Sequence, residues 1–218
     1  MDGVNQVLQA GPVSPSARQA LDTELALHDT MDGYNWALRS ERSYSLSSVR
    51  ELPASGFWLM RGFANEAALG LIDLFDRYLE KSSRPYAEVV SDKSGAPTPS
   101  HGPNLYGALI RLLEPSLALV REPAERPRAM SRSLRVLSAL QARVPPGSDR
   151  VPKLSDLGLP AEATIDPYNG EPLRVKKLPQ GWMVYSVGKN LVDDGGILDF
   201  KNDLGAGPIS RGESQKKP

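Results

Sequence analysis

Apolar positions first fall into step at Ser14. Ser14-Pro15 supplies an N-cap followed by proline at the first helical position, and Ala17, Leu21, Leu25, His28, Met31, Tyr34 or Asn35, and Leu38 follow at helical spacing. The pattern predicts one long amphipathic helix with His28 on its apolar side. Gly33 weakens that helix by about 1 kcal/mol relative to alanine, so a kink or break is expected near it. A Ser-rich segment over 43–62 ends in Gly56-Phe57-Trp58-Leu59-Met60-Arg61-Gly62-Phe63, a short apolar run that fits a buried turn, a short strand or a helix. A second helix is predicted from Asn65 to Lys81. Ala68, Leu71, Ile72, Phe75, Tyr78 and Leu79 share one face, and Asp73, Asp76, Arg77 and Glu80 the other.

Residues 82–104 collect proline, glycine and serine and predict a long surface loop. Leu105 to Arg121 is again helical, with Pro115 expected to kink it or split it after Glu114. Pro123 and Pro127 form the next breaker. A further helix from Arg128 to Arg143 turns Leu134, Leu137 and Leu140 toward a core and stops at Val144-Pro145-Pro146-Gly147. The period then changes from helical to two. Leu173 to Leu178 and Trp182 to Val187 read as strands joined by Pro179-Gln180-Gly181, with Gly181 taking positive φ. The second strand has large side chains on both faces, so at least one face needs a helical cover. The expected fold is α+β. A flexible start over 1–13 precedes a helical domain over 14–127, a helix plus antiparallel β-hairpin over 128–206, and a disordered tail over 207–218, with about four helices before the hairpin.

Composition narrows the function classes. Lys plus Arg equal Asp plus Glu at 26 each, so no global field steers the chain to nucleic acid or to an anionic membrane. Cysteine is absent, which removes disulfides, thiol catalysis and Cys-based zinc sites. No run approaches the roughly 20 apolar residues that span a bilayer, and the first residues lack the pattern of a signal peptide. Membrane attachment, if any, is therefore expected only through a segment outside this chain.

One dense constellation remains. Asn190, Asp193, Asp194, Asp199, Asn202 and Asp203 are interleaved with Gly188, Gly195, Gly196 and Gly205. Hard oxygen ligands on a pliant backbone suit Ca²⁺, which takes six to eight oxygens at about 2.3–2.6 Å. The competing reading is a solvated acidic turn, and the order of an EF-hand loop is missing. Asp166-Pro167-Tyr168-Asn169-Gly170 reads as architecture: aspartate accepts from amides two residues on, and Asn-Gly tolerates left-handed geometry. His101 follows Ser100, but adjacency is not a triad, and no nucleophile elbow, Walker loop, zincin or dinucleotide motif is present. Asp22, Glu24, Glu66, Asp73, Asp76 and Glu80 read as solvated helix faces. Trp36, Trp58 and Trp182 read as core or interface anchors.

The string from Asp166 to Gly196 resembles the tail of uncharacterised, mostly membrane-anchored bacterial proteins frequent in planctomycete-like genomes. It is also similar to the C-terminal half of the globular domain of type II secretion major pseudopilins, over about residues 131–204. Asp166, Pro167, Gly170 and Pro172 match that family's turn, Tyr185, Ser186 and Gly188 its strand end, and Asp193, Asp194, Asp199 and Asp203 its acidic loop. Asn190 stands where the family often has Asp, and Leu191 replaces the glycine that follows. The resemblance implies a pseudopilin-like module with structural Ca²⁺ held around Asn190, Asp193, Asp194, Asp199 and Asp203, in a periplasmic or cell-envelope setting. The expected role is a non-enzymatic structural or interaction protein with an unidentified protein partner. Two alternatives stand beside it: a hydrolase with His101 or a carboxylate pair in a cleft, and a cytoplasmic helical adaptor using Trp58 or the Leu105–Leu119 face.

Overall fold

The computed structural model describes residues 2–10, 13–51, 60–92, 105–145, 148, 150–199 and 201–208. It is an α+β fold. The helices are α1 (Asp2–Ala10), α2 (Pro15–Leu27), α3 (Asp32–Glu51), α4 (Met60–Glu80), α5 (Tyr86–Ser91) and α6 (Leu105–Arg143), followed by β1 (Arg174–Leu178), β2 (Gly181–Ser186) and β3 (Leu204–Ala206). The chain divides into two compact units. The first takes Met1–Thr30, Pro85–Ala87 and Glu125–Pro218, and the second takes Met31–Arg84 and Glu88–Ala124.

In the second unit, α3 contributes Tyr34, Leu38 and Val49 to an apolar core with Ala64, Ala67, Leu71, Leu74 and Phe75 of α4 and Leu117 of α6. The buried stripe of α4 is centred on Ala67, Leu71 and Leu74. It is therefore rotated from the expected face, and Ala68, Tyr78 and Leu79 lie at its margin. Arg121 is 2% exposed. Its guanidinium donates to the carbonyls of Lys81 (2.8 Å) and Arg84 (2.5 Å) and lies 5.7 Å above the Tyr34 ring, so it pins the turn that follows α4, where the Lys81 carbonyl also accepts from the Arg84 amide at 3.1 Å.

The first long helix breaks near Gly33, as expected: α2 ends at Leu27, α3 starts at Asp32, and the backbone N–H groups of His28 and Asp29 turn back to the carbonyls of Leu25 (3.2 Å) and Ala26 (3.1 Å). Other helical expectations need correction. His28 faces outward, with 56% of its side chain exposed, because the inward position goes to Asp29. The stretch read as two helices with a breaker is one helix, α6, that runs through Pro115, Pro123 and Pro127. Proline inside a helix costs about 3 kcal/mol through a lost bond and a clash four residues back. Pro123 and Pro127 are exposed, which leaves the carbonyls they orphan on the watered side of the helix. Trp36 is 71% exposed and is not a core anchor.

Other expectations meet the structure differently. Ser14 caps α2 as its sequence implied, accepting from the Ala17 amide at 3.3 Å. Where a flexible start was expected, Asp2–Ala10 forms α1 and buries Leu8. The expected loop after residue 82 contains α5, and its later part, with His101, lies outside the described residues, as do Trp58 and most of the expected tail.

In the first unit, α6 is buried on every side from Ser131 to Ser138. Leu134, Leu137 and Leu140 are fully enclosed, as their spacing predicted, and join Leu25, Leu173, Trp182 and Val184 in one core. The sheet has the order β1-β2-β3, antiparallel throughout, with Arg174 opposite Tyr185 and Tyr185 opposite Gly205. A two-residue turn, Pro179-Gln180, joins β1 to β2, and Gly181 has φ 140°.

Strand β3 was not anticipated. It is three residues long, and its middle residue is a glycine for a steric reason. A Cβ on Gly205 would run into the Val184 carbonyl and come within 2.6 Å of Tyr185 Cα, and both of those atoms are backbone. Gly205→Ala is therefore expected to part β3 from β2 and to lower the unfolding free energy by about 2–3 kcal/mol, measured by urea denaturation. A loss below about 0.5 kcal/mol would contradict this packing.

Candidate functional site

The module is organised by Asp166, which is fully buried. Its Oδ1 accepts from the Tyr168 amide (2.9 Å) and the Ser186 hydroxyl (2.7 Å), and its Oδ2 accepts from the Val187 amide (2.9 Å). One carboxylate thus ties the turn before β1 to the end of β2. Gly170, at φ 76°, closes that turn by donating to the Asp166 carbonyl at 2.9 Å, and Asn169 accepts from the Glu171 amide at 2.9 Å. Burial pushes the Asp166 carboxyl up from the usual aspartate range, against the pull of its three donors and of Arg174. Tyr168 packs edge-on against Tyr86, with ring centroids 5.4 Å apart.

The acidic loop folds back over the face of β2 that α6 does not cover. Gly196 lies so close to Met183 and Tyr185 that a Cβ would come within 2.6 Å of the Met183 sulfur. This explains why Met183 and Tyr185 are buried as well as Trp182 and Val184: helix covers one face and loop the other. The alternation in the sequence demanded a cover but did not say that the acidic segment supplies it.

Each sequence-predicted ligand has a definite place. Asp203 is fully buried and accepts from the amides of Gly196 (2.7 Å) and Asp194 (3.3 Å). Its burial pushes the carboxyl up, those amides pull it down, and the nearby charges of Asp193 and Asp194 raise it further. Asp193 accepts from the Gly195 amide (3.0 Å) and the Tyr185 hydroxyl (3.1 Å) and pairs with Arg174 at 3.5 Å. The Gly195 amide first, then Tyr185 and Arg174, hold its carboxyl below the usual range. Asn190 donates to Asp194 at 2.8 Å and accepts from the Val192 amide at 3.1 Å. Asp199 stands apart in its own turn, lowered by the amides of Asn202 (2.8 Å) and Lys201 (2.6 Å).

The loop therefore groups Asn190 with Asp194, and Asp194 with Asp203, while Asp193 faces β1 and Asp199 closes a separate turn. Among the described residues, no group of three or more His, Cys, Asp or Glu side chains is arranged to hold a metal ion. Leu191 has φ 59° and is the sole non-glycine residue with positive φ among those described. It occupies the position where the resemblance places a glycine.

Two residues escaped the sequence reading. Arg174 reaches Asp193 and Glu171, the latter at 2.7 Å, and Lys176 donates to the Gly195 carbonyl at 2.7 Å. Their alternation along β1, opposite Tyr185 and Met183 of β2, was the available signal, since residues two apart in a strand share a face. Burial first, then Asp193, pushes the Tyr185 phenol up to about 12, so the hydroxyl stays a donor at neutral pH.

The helix carboxylates form ordinary exposed pairs, Asp73 with Arg77, Asp76 with Arg42 and Glu80 with Arg84, while Asp22 is held by Arg135 at 2.7 Å. Among the described residues, no helix is long and apolar enough to cross a membrane. Neither a protein family, nor a curated protein, nor a solved structure matches this chain.

Proposed function

We propose that this chain is a non-enzymatic structural or interaction protein of the cell envelope, built around a pseudopilin-like hairpin module whose loop from Asn190 to Asp203 takes a structural Ca²⁺ ion. The observation that carries the reading is the buried carboxylate of Asp203 with Asp193 and Asp194 close enough to raise it. Three carboxylates in so small a loop are met by three amides, the Tyr185 hydroxyl, the Asn190 side chain and Arg174, and of these donors only Arg174 carries a charge. Asn190, Asp193 and Asp194 would hold the ion together with main-chain carbonyls. Asp203 would fix the loop through its amides, and Asp199 would close the loop's far side. Calcium would supply charge compensation and rigidity, with no reaction step.

A non-enzymatic role is supported by the way the module spends its polar groups. Asp166, Ser186 and Asp203 are buried against backbone amides or one another, and Tyr185 and Asp193 are engaged with each other and with Arg174. They hold loops.

Calorimetric titration of metal-free protein with CaCl₂ is expected to give saturable binding in the millimolar range or tighter. At ten times its Kd, calcium should raise the unfolding free energy by about 1.4 kcal/mol, and Asp193→Ala/Asp194→Ala should show neither effect. Absence of saturable binding by the unsubstituted chain ends the calcium reading. Fractionation of cells expressing the complete reading frame tests the envelope location, and recovery with the cytosol would refute it.

A further inference from the structure

We propose that α1 is a strap that seals the β3 edge of the sheet and opens as a unit while the rest of its compact unit stays folded. β3 is an edge strand, and Gly207 lies immediately beyond it. Gly207 runs so close to β2 that a Cβ would stand 2.7 Å from Met183 Cα and 2.8 Å from the Trp182 carbonyl. Its backbone groups meet Asn5 of α1: the Gly207 amide donates to Asn5 Oδ1 at 3.0 Å, and Asn5 Nδ2 donates to the Gly207 carbonyl at 3.3 Å. A side-chain carboxamide thus takes the place that a neighbouring strand's peptide group would fill. Sheet edges need such a cover, because unpaired backbone groups invite strand addition.

The strap has a small set of fastenings. Leu8 is 2% exposed in the core with Leu134, Leu137 and Val184, Val4 packs at its margin, and Gln141 donates to the Leu8 carbonyl at 2.9 Å. α1 has nine residues. Helices shorter than about 12–15 residues are marginal in water without tertiary support. Undocking and unwinding are therefore one event: α1 is helical while Leu8 and Asn5 are seated and loses its helix when they leave. β2, paired along both edges, has no comparable route of escape.

Native-state hydrogen exchange on the full chain tests this. The amides of Leu8 and Gly207 are expected to exchange through a common opening, at least about tenfold faster than the amides of β2 once corrected for intrinsic rates. Asn5→Ala is expected to accelerate Gly207 by about a further tenfold and leave β2 unchanged. Equal protection at Leu8, Gly207 and β2 in the unsubstituted protein overturns the proposal, as does equal acceleration of β2 by Asn5→Ala. Should that variant not fold, the exchange pattern of the unsubstituted protein decides alone.

Discussion

Asp166→Ala is expected to destabilise the hairpin module by about 3–5 kcal/mol, seen as an earlier urea transition with Trp182 as the buried reporter. The carboxylate receives two backbone amides and one hydroxyl in a site without solvent. Alanine takes the shared acceptor away from all three donors, each at a cost of about 1–3 kcal/mol, and this outweighs relief from burying a charge. Asp166→Asn is also expected to be costly despite its equal size, because its amide nitrogen replaces one acceptor with a donor facing donors.

The pH dependence has a definite sign. Burial raises the Asp166 carboxyl above its ordinary 3.8, so between 3.8 and the folded value the native state binds more protons than the unfolded one. The stability tied to this group grows as pH falls through that window and is lost as pH rises through it. The penalty of Asp166→Ala should accordingly be larger at mildly acidic pH than at neutral pH. A penalty under about 1 kcal/mol at both would show that the clamp contributes little.

The second large effect is expected at Asp29. Both its oxygens lie 2.8 Å from Arg132 Nε, and Oδ1 lies 3.3 Å from Arg128 Nε, with only 5% of the aspartate side chain and 7% of the Arg132 side chain exposed. Arg128 also reaches the fully buried Glu125 at 2.7 Å. Asp29→Ala strands the Arg132 charge with the Ile165 carbonyl, 2.7 Å away, as its remaining acceptor. Removing one member of a buried pair costs about 3–5 kcal/mol, whereas replacing both members with apolar groups is often close to neutral. Asp29→Ala/Arg132→Met is therefore expected to recover at least about 2 kcal/mol relative to Asp29→Ala. Parallel urea curves for the single and double variants measure this, and equal destabilisation by the two would refute the assigned network.

These two clamps were unequally legible. Asp166-Pro167-Tyr168-Asn169-Gly170 announced its turn because Asx and Asn-Gly geometry is local, and the Tyr168, Asn169 and Gly170 contacts follow it. Its longer reach to Ser186 and Val187 crosses some twenty residues and has no local signature. Asp29 falls inside the stretch predicted as one continuous helix and drew no reading of its own, because its partners lie about a hundred positions away. The same limit applied to α6. Proline is a breaker by local rules, yet α6 continues through Pro123 and Pro127 with both on its exposed side. In the acidic loop the residue types were visible early. Arg174 and Lys176 entered only when β1 and the loop were placed side by side.

Unit 1 is assembled from both ends of the chain, and this has a temporal consequence. Asp29 and Arg132 are separated by 103 positions. At about 5–20 residues per second, a ribosome takes roughly 5–20 s to make the interval between them. During that delay α1 and α2 are outside the tunnel without the arginines and leucines that later enclose them, while the intervening helices α3 and α4 already have each other. A nascent chain of this protein thus carries an unclaimed leading segment, the state in which holding chaperones find their substrates.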